Sequence, residues 1–226
     1  LSVWNRTYHI GSHGLPLQIT TAGEPMLADP ATLHLFSRGE PVPVALAGRA
    51  QLVASAATRA VVESVAPGIG LRFSSVTTVE YDGLMRIDFT LDPGAPLDVD
   101  TFFIRFPFRK DRARYVDAPV AAPPFHHVVD TDGWRLARSF TEGTAEVYGR
   151  FWLGDDDRGM DFSFLSDEGW RPYDRPDAVR IQRTGDRVCV DLHILGNTRL
   201  EKPVRGTLLL TATPVRPFPG NVRHWN

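Results

Sequence analysis

The stretch FWLGDDDRGMDFSFLSDEGW, Phe151 to Trp170, decides how the chain is read. Phe151 and Leu153 flank Trp152, and Phe162 and Phe164 alternate with Asp161 and Ser163, so apolar residues recur with period two on both sides of Gly154 and Gly159. That pattern predicts a β-hairpin stopped by an aromatic residue. Its turn carries Asp155, Asp156 and Asp157. Three readings stay open for them: a plain solvated turn, a rim that touches saccharide or a neighbouring domain, or part of a calcium ligand set. Calcium needs several oxygens converging on one point, and the run lacks the twelve-residue EF-hand spacing with its final acid.

Working outward, VEYDGLMRIDFTLDPG (Val79–Gly94) repeats the theme. Val79 and Tyr81 alternate up to Asp82-Gly83, a pair favoured in type I′ hairpin turns. Beyond it, Met85, Ile87, Phe89 and Leu91 share one face while Arg86, Asp88 and Thr90 share the other, so one face is buried and one wet. Further strands are predicted from Leu1 to Ile10 and from Leu15 to Thr21, at Leu33 to Phe36, from Leu71 to Tyr81 and from Phe102 to Phe108. Others cover Leu136–Phe140, Thr144–Arg150 and Thr207–Thr213, and a hairpin Val179–Arg183 and Val188–Ile194 turns at Gly185-Asp186. Arg49–Val65 is rich enough in alanine to tolerate helix, but its end, Val61, Val62 and Val65, favours strands. Arg109–Gly133, with Pro119, Pro123 and Pro124, lacks periodicity and reads as a long loop.

Many short strands at roughly ten-residue spacing with little helix predict an all-β fold, a large antiparallel β-sandwich of two packed sheets. At 226 residues and 42% hydrophobic, one domain accounts for the chain. The expected boundaries are 1–213 for the sandwich and 214–226 for a linker stiffened by Pro214, Pro217 and Pro219, leading to a C-terminal domain.

Charge excludes some partners. Lys plus Arg number 25 against 27 for Asp plus Glu, so no global field recruits nucleic acid or an anionic membrane. The basic run Arg109, Lys110, Arg112, Arg114 is interrupted by Asp111 and reads as a solvated strand end. Cys189 is the single cysteine and sits in the alternating VCVDLHI, which indicates packing rather than nucleophilic chemistry. No nucleophile elbow, Walker loop, dinucleotide fingerprint, HExxH or zinc-ribbon spacing occurs, and no apolar run reaches the ~18 residues of a membrane span. No catalytic residue, metal ligand or cofactor is assigned.

What remains are contact residues. His126 and His127 are neighbours that an extended chain points to opposite sides, so they do not chelate one ion together; by residue type either can serve as a general base. Among the tryptophans, Trp152 and Trp170 read as core and Trp134, beside Gly133, as the best candidate for exposure. The candidates for carbohydrate or interdomain contact are Trp134, His126, His127, Asp155, Asp156, Asp157 and Trp152, with Tyr148 a further stacking candidate.

RTYHIGSHGLPLQI (Arg6–Ile19), VEYDGLMRIDFTL (Val79–Leu91), FWLGDDDRGMDFSFLSDEGW and LLLTATPVRP (Leu208–Pro217), in that order, resemble the N-terminal β-sandwich region of glycoside hydrolase family 123-like proteins. The resemblance spans nearly the whole chain, and its middle two segments are the specific ones. It implies a sandwich that precedes a (β/α)8 barrel, with the barrel carrying an adjacent Asp-Glu pair for substrate-assisted hydrolysis of N-acetylgalactosaminides. Asp167-Glu168, in SDEGW, matches the sandwich pattern and not that barrel motif, so no catalytic role passes to it. The expected function is a non-catalytic module that packs on the catalytic barrel of the same parent protein and shapes its active-site rim. The alternative is an autonomous carbohydrate-binding module, with a glycan as partner.

Overall fold

A computed structural model describes residues 1–44, 47–117, 126–128, 134–137, 149–165, 168–172 and 177–215. The chain starts with a meander of β1 (Ser2–Val3), β2 (Arg6–Ile10), β3 (Pro16–Thr21) and β4 (Glu24–Pro25). β5 (Thr32–Ser37) and β6 (Glu40–Val42) form a hairpin. A longer meander follows, β7 (Arg49–Ser55), β8 (Arg59–Pro67), β9 (Leu71–Glu80) and β10 (Leu84–Pro93). Next come β11 (Leu97–Arg109), one 3-10 turn at Lys110–Arg112, β12 (Tyr115–Asp117), β13 (His126–Val128) and β14 (Trp134–Ala137). β15 (Arg150–Gly154) and β16 (Gly159–Phe164) are the acidic hairpin; β17 (Arg171–Pro172), β18 (Asp177–Thr184), β19 (Arg187–Leu200) and β20 (Val204–Thr213) complete the order.

Two large sheets pack face to face. One runs β13-β12-β15-β16-β20-β10-β9-β8-β7, the other β14-β18-β19-β11-β5-β6 with β17 beside β19, and β1-β2-β3-β4 make a separate small sheet. Among the described residues the strand pairings are antiparallel except that of β17 with β19. The core follows from alternation: Met85, Ile87, Phe89 and Leu91 of β10 face Phe102, Ile104, Phe106 and Phe108 of β11 across the interior. Phe162 of β16 sits at its centre. It stacks on Phe151 at 4.6 Å between ring centroids and meets Phe106 edge-on at 5.4 Å, so the acidic hairpin's apolar face joins both sheets. Trp170 is buried against Phe164, as its sequence context indicates.

The sandwich, the strand choice in 49–65 and the packing role of Cys189, buried in β19 between β18 and β11, match the sequence reading. Four expectations are corrected. The strand foreseen from Leu1 to Ile10 is broken at Trp4-Asn5, where Asn5 takes φ 56°, and its halves pair with each other. The Asp82-Gly83 turn is not type I′. Only Gly83 has positive φ, the loop is three residues long, and Gly83 N–H donates to the Glu80 carbonyl at 2.9 Å. Tertiary contacts decide that geometry: Arg6 Nη1 donates to the Asp82 carbonyl at 2.5 Å, and the Tyr8 hydroxyl donates to the Gly83 carbonyl at 2.6 Å. Thirdly, Arg109–Gly133 is not all loop, because β12 and β13 lie within it. Lastly, Trp152 is not a core residue, since it projects from the opposite face of β15 to Phe151 and Leu153. The strand expected at Thr144–Arg150 falls mostly outside the described residues, as do 138–140 and the tail from 216.

Candidate functional site

The three aspartates divide by burial. Asp155 is only 8% exposed, and its Oδ1 accepts the backbone N–H groups of Asp157 and Arg158, each at 2.9 Å, while Oδ2 accepts from Arg112 Nη1 at 3.2 Å. It closes the turn from within, as an Asp that satisfies backbone donors does. Asp156 pairs with Arg114 at 2.9 Å and Asp157 with Arg158 at 3.4 Å, but their side chains are 67% and 77% exposed. Arg112 and Arg114 of the basic run are thus ion-paired with the acidic turn, separate though the two are in sequence, and Glu24 joins through Arg112 at 2.8 Å. Among the described residues no group of three or more His, Cys, Asp or Glu is placed to hold a metal ion.

Trp152 belongs to the outer face of the nine-stranded sheet. Its partners across the ladder are Asp117 on β12 and Asp161 on β16. The indole is half-buried and lies across Gly154 and Gly159, which face each other at the hairpin's end. A Cβ at Gly154 would come within 2.3 Å of the ring and one at Gly159 within 2.4 Å, so both glycines are the seat of the indole. Nε1 donates to Thr213 Oγ1 at 3.0 Å, which fixes the ring's rotation. Beside it Asp161, mostly buried, accepts from Arg150 Nε at 2.5 Å and from the Ser163 hydroxyl at 2.7 Å.

Further along the same face a groove of about 500 Å³ opens over β8, β9, β10 and β20. Its floor holds Asp88, Thr90, Ser74 and Thr207, with Val65 and Val76 as apolar patches and Glu63, Glu168 and Arg205 around them. Asp88 is fixed by both Arg86 nitrogens, Nε at 2.7 Å and Nη2 at 2.9 Å, and by Thr207 Oγ1 at 2.6 Å. Burial opposes its charge, but the hydrogen bonds from Arg86 and Thr207 outweigh that and hold its carboxyl below the ordinary range.

The structure brings some of the sequence candidates together. His126 stands opposite Asp117, and Asp117 opposite Trp152, in one cross-strand row; His127 stands opposite Val116. The Asp155–Asp157 turn closes the same hairpin. Trp134 is elsewhere, opposite Ile181 in the other large sheet. Tyr148 and Asp167 lie outside the described residues. Sequence reading did not single out the groove residues Asp88, Thr90 and Thr207 as a site. The signal was present as the wet half of the β10 alternation, but nothing in the sequence shows that β20 lies alongside it.

The same architecture occurs in solved structures of low sequence identity. A protein assigned as an aldose 1-epimerase, from Escherichia coli K12, shares 10% identity over 94% of this chain and 97% of its own, with a TM-score of 0.52. The Slr1438 protein of Synechocystis sp. PCC 6803 shares 10% over 92% and 91%, with a TM-score of 0.53. At these identities the likeness defines the fold. The family comes from sequence: residues 1–178 match the family described as glycoside hydrolase 123, third domain, and the chain belongs to it. That description names a third domain, where the sequence reading had expected an N-terminal one. No curated protein matches the chain.

Proposed function

We propose that this chain is a non-catalytic accessory module of a glycoside-hydrolase-like protein, and that it packs on a catalytic (β/α)8 domain of the same parent. The observation that carries this is β7. All seven of its residues are exposed, on both faces, with Leu52 at 52% and Val53 at 44%. It is also the edge of the nine-stranded sheet, so its outer backbone groups and its apolar side chains are offered together. A barrel covering this ribbon satisfies both needs at once, and membership of a family described as one domain among several agrees with such a neighbour. No glycosidase turnover is expected from the isolated chain.

The test compares the parent protein with a Leu52→Asp, Val53→Asp variant. Both side chains are exposed and lie outside the buried core, so the isolated variant should melt close to the isolated wild type. In the parent, the charges should separate one cooperative unfolding transition into two and open the junction to protease. If wild-type parent already unfolds in two independent steps, or if the variant leaves its single transition intact, this face is not the interface.

A further inference from the structure

We propose that the outer face of the nine-stranded sheet binds a neutral oligosaccharide lying along β20, with the groove over Asp88 gripping one end and the Trp152 indole stacking under the other.

The chemistry of the groove selects the ligand class. Sugars present closely spaced hydroxyls on a ring whose C–H faces are apolar, so a site for them needs fixed planar acceptors and donors beside small apolar patches. Asp88 is such an acceptor, immobilised by Arg86 and Thr207 and still at the groove floor. Thr90, Ser74 and Arg205 supply donors nearby, and Val65 and Val76 the apolar contacts. About 500 Å³ lies within the range of small-ligand sites. Charge then narrows the class. Glu63 and Asp88 share the groove with Arg205, and Arg86 is engaged by Asp88, so the groove holds no surplus of cations to recruit a sulfated or uronic chain and suits a neutral one.

The sheet supplies the length. On β20 the outward-facing residues after Arg205 are Thr207, Leu209, Thr211 and Thr213, so hydroxyls with one apolar position among them run from the groove to the Trp152 seat. Six residues separate Thr207 from Thr213, which at ~3.4 Å per residue is about 20 Å, so one sugar cannot reach both ends. Seated on Gly154 and Gly159, with Nε1 held by Thr213, the indole lies flat on the sheet and turns its other face outward. Asp161, Ser163 and Arg150 border the path between.

This site deepens the carbohydrate-related reading of the chain and is independent of the β7 interface. The Leu52→Asp, Val53→Asp variant leaves its floor untouched, so either idea can fail alone. The experiment is calorimetric titration of the isolated chain with neutral gluco-, galacto-, manno- and N-acetylhexosamine oligosaccharides of increasing length, with a sulfated oligosaccharide in parallel. Affinity for one neutral series should rise with length and then level off. Asp88→Ala should weaken every member at least tenfold, Thr207→Val severalfold, and Trp152→Ala should weaken only the longer ones, with thermal melts reporting that each variant folds. Absence of binding to every neutral series at millimolar concentration, preference for the sulfated chain, or affinity unchanged in Asp88→Ala overturns the proposal. Should Trp152→Ala fail to fold, Trp152→Phe replaces it, and an unaltered length dependence there removes the indole from the site.

Discussion

Asp155 is the residue whose removal tests the reading of the acidic turn most directly. It sits inside the β15–β16 hairpin with two backbone N–H donors on one oxygen and Arg112 on the other. Asp155→Ala strips all three. Hydrogen bonds to a charged group contribute about 1.5–3 kcal/mol each where the donor is left without a substitute. Here the losses are partly recovered: Asp157 is exposed, so water can reach its end of the turn, and Arg112 keeps Glu24 at 2.8 Å. The net cost comes to about 3 kcal/mol, the low end for breaking a buried ion pair. Asn at the same position keeps an acceptor for the two amides and loses the charge toward Arg112 and toward Arg158, whose Nε stands 3.8 Å away, at a cost of about 1 kcal/mol. For a chain of this size ~1 kcal/mol moves Tm by roughly 2–4 °C, so Ala should lower it by about 6–12 °C and Asn by about 2–4 °C. Asp156→Ala and Asp157→Ala, both at exposed pairs, should stay within about 0.5 kcal/mol of wild type. Differential scanning calorimetry on the four variants decides it. Equal effects at all three positions, or an Asn variant as damaged as the Ala variant, would show that the turn is not organised from Asp155.

Two other outcomes follow from separate parts of the molecule. Burial lifts the Tyr8 hydroxyl to about 12, against the pull of Arg6 in the other direction. Because the folded value lies above the unfolded one near ~10, that stability is complete below about pH 10 and is lost as pH climbs through about 12, a change of roughly 2–3 kcal/mol. Chemical denaturation across this window should show Tyr8→Phe less stable at neutral pH but less pH-dependent, and parallel curves for the two proteins would refute it. Gly159→Ala puts a Cβ 2.4 Å from the Trp152 ring and should cost about 1–3 kcal/mol while shifting tryptophan emission as the indole leaves its seat. An unchanged spectrum would mean that the ring does not rest there.

Period-two alternation and glycine-bounded turns made the strands readable, because both are local properties of the chain. Phe162 and Phe151 declare the buried face of the acidic hairpin without any knowledge of their partners. The turn at Asp82-Gly83 was misread because its form is set by Arg6 and Tyr8, more than 70 positions earlier. Trp152 was misassigned for a related reason. Its size suggested core, but its parity along β15 places it with Arg150 on the outer face, and parity is the stronger evidence in a strand. The union of Arg112 and Arg114 with Asp155 and Asp156 spans just over 40 residues, and the groove needs β20 beside β10; no local pattern reports either.

The place of β20 has a consequence for how the molecule reaches this state. In the nine-stranded sheet it separates β13-β12-β15-β16 from β10-β9-β8-β7, although it follows all of them in the chain. Until it arrives, two half-sheets carry open flanks toward each other, and Arg6 has no Pro214 carbonyl to hold, a partner 208 positions away that it meets at 2.6 Å. Pairings of such separation form late and slowly. A nascent chain that has not yet added β20 is therefore a pair of unsealed sheets, exposed to intermolecular pairing along β10 and β16, and the arrival of that ten-residue strand closes the interval.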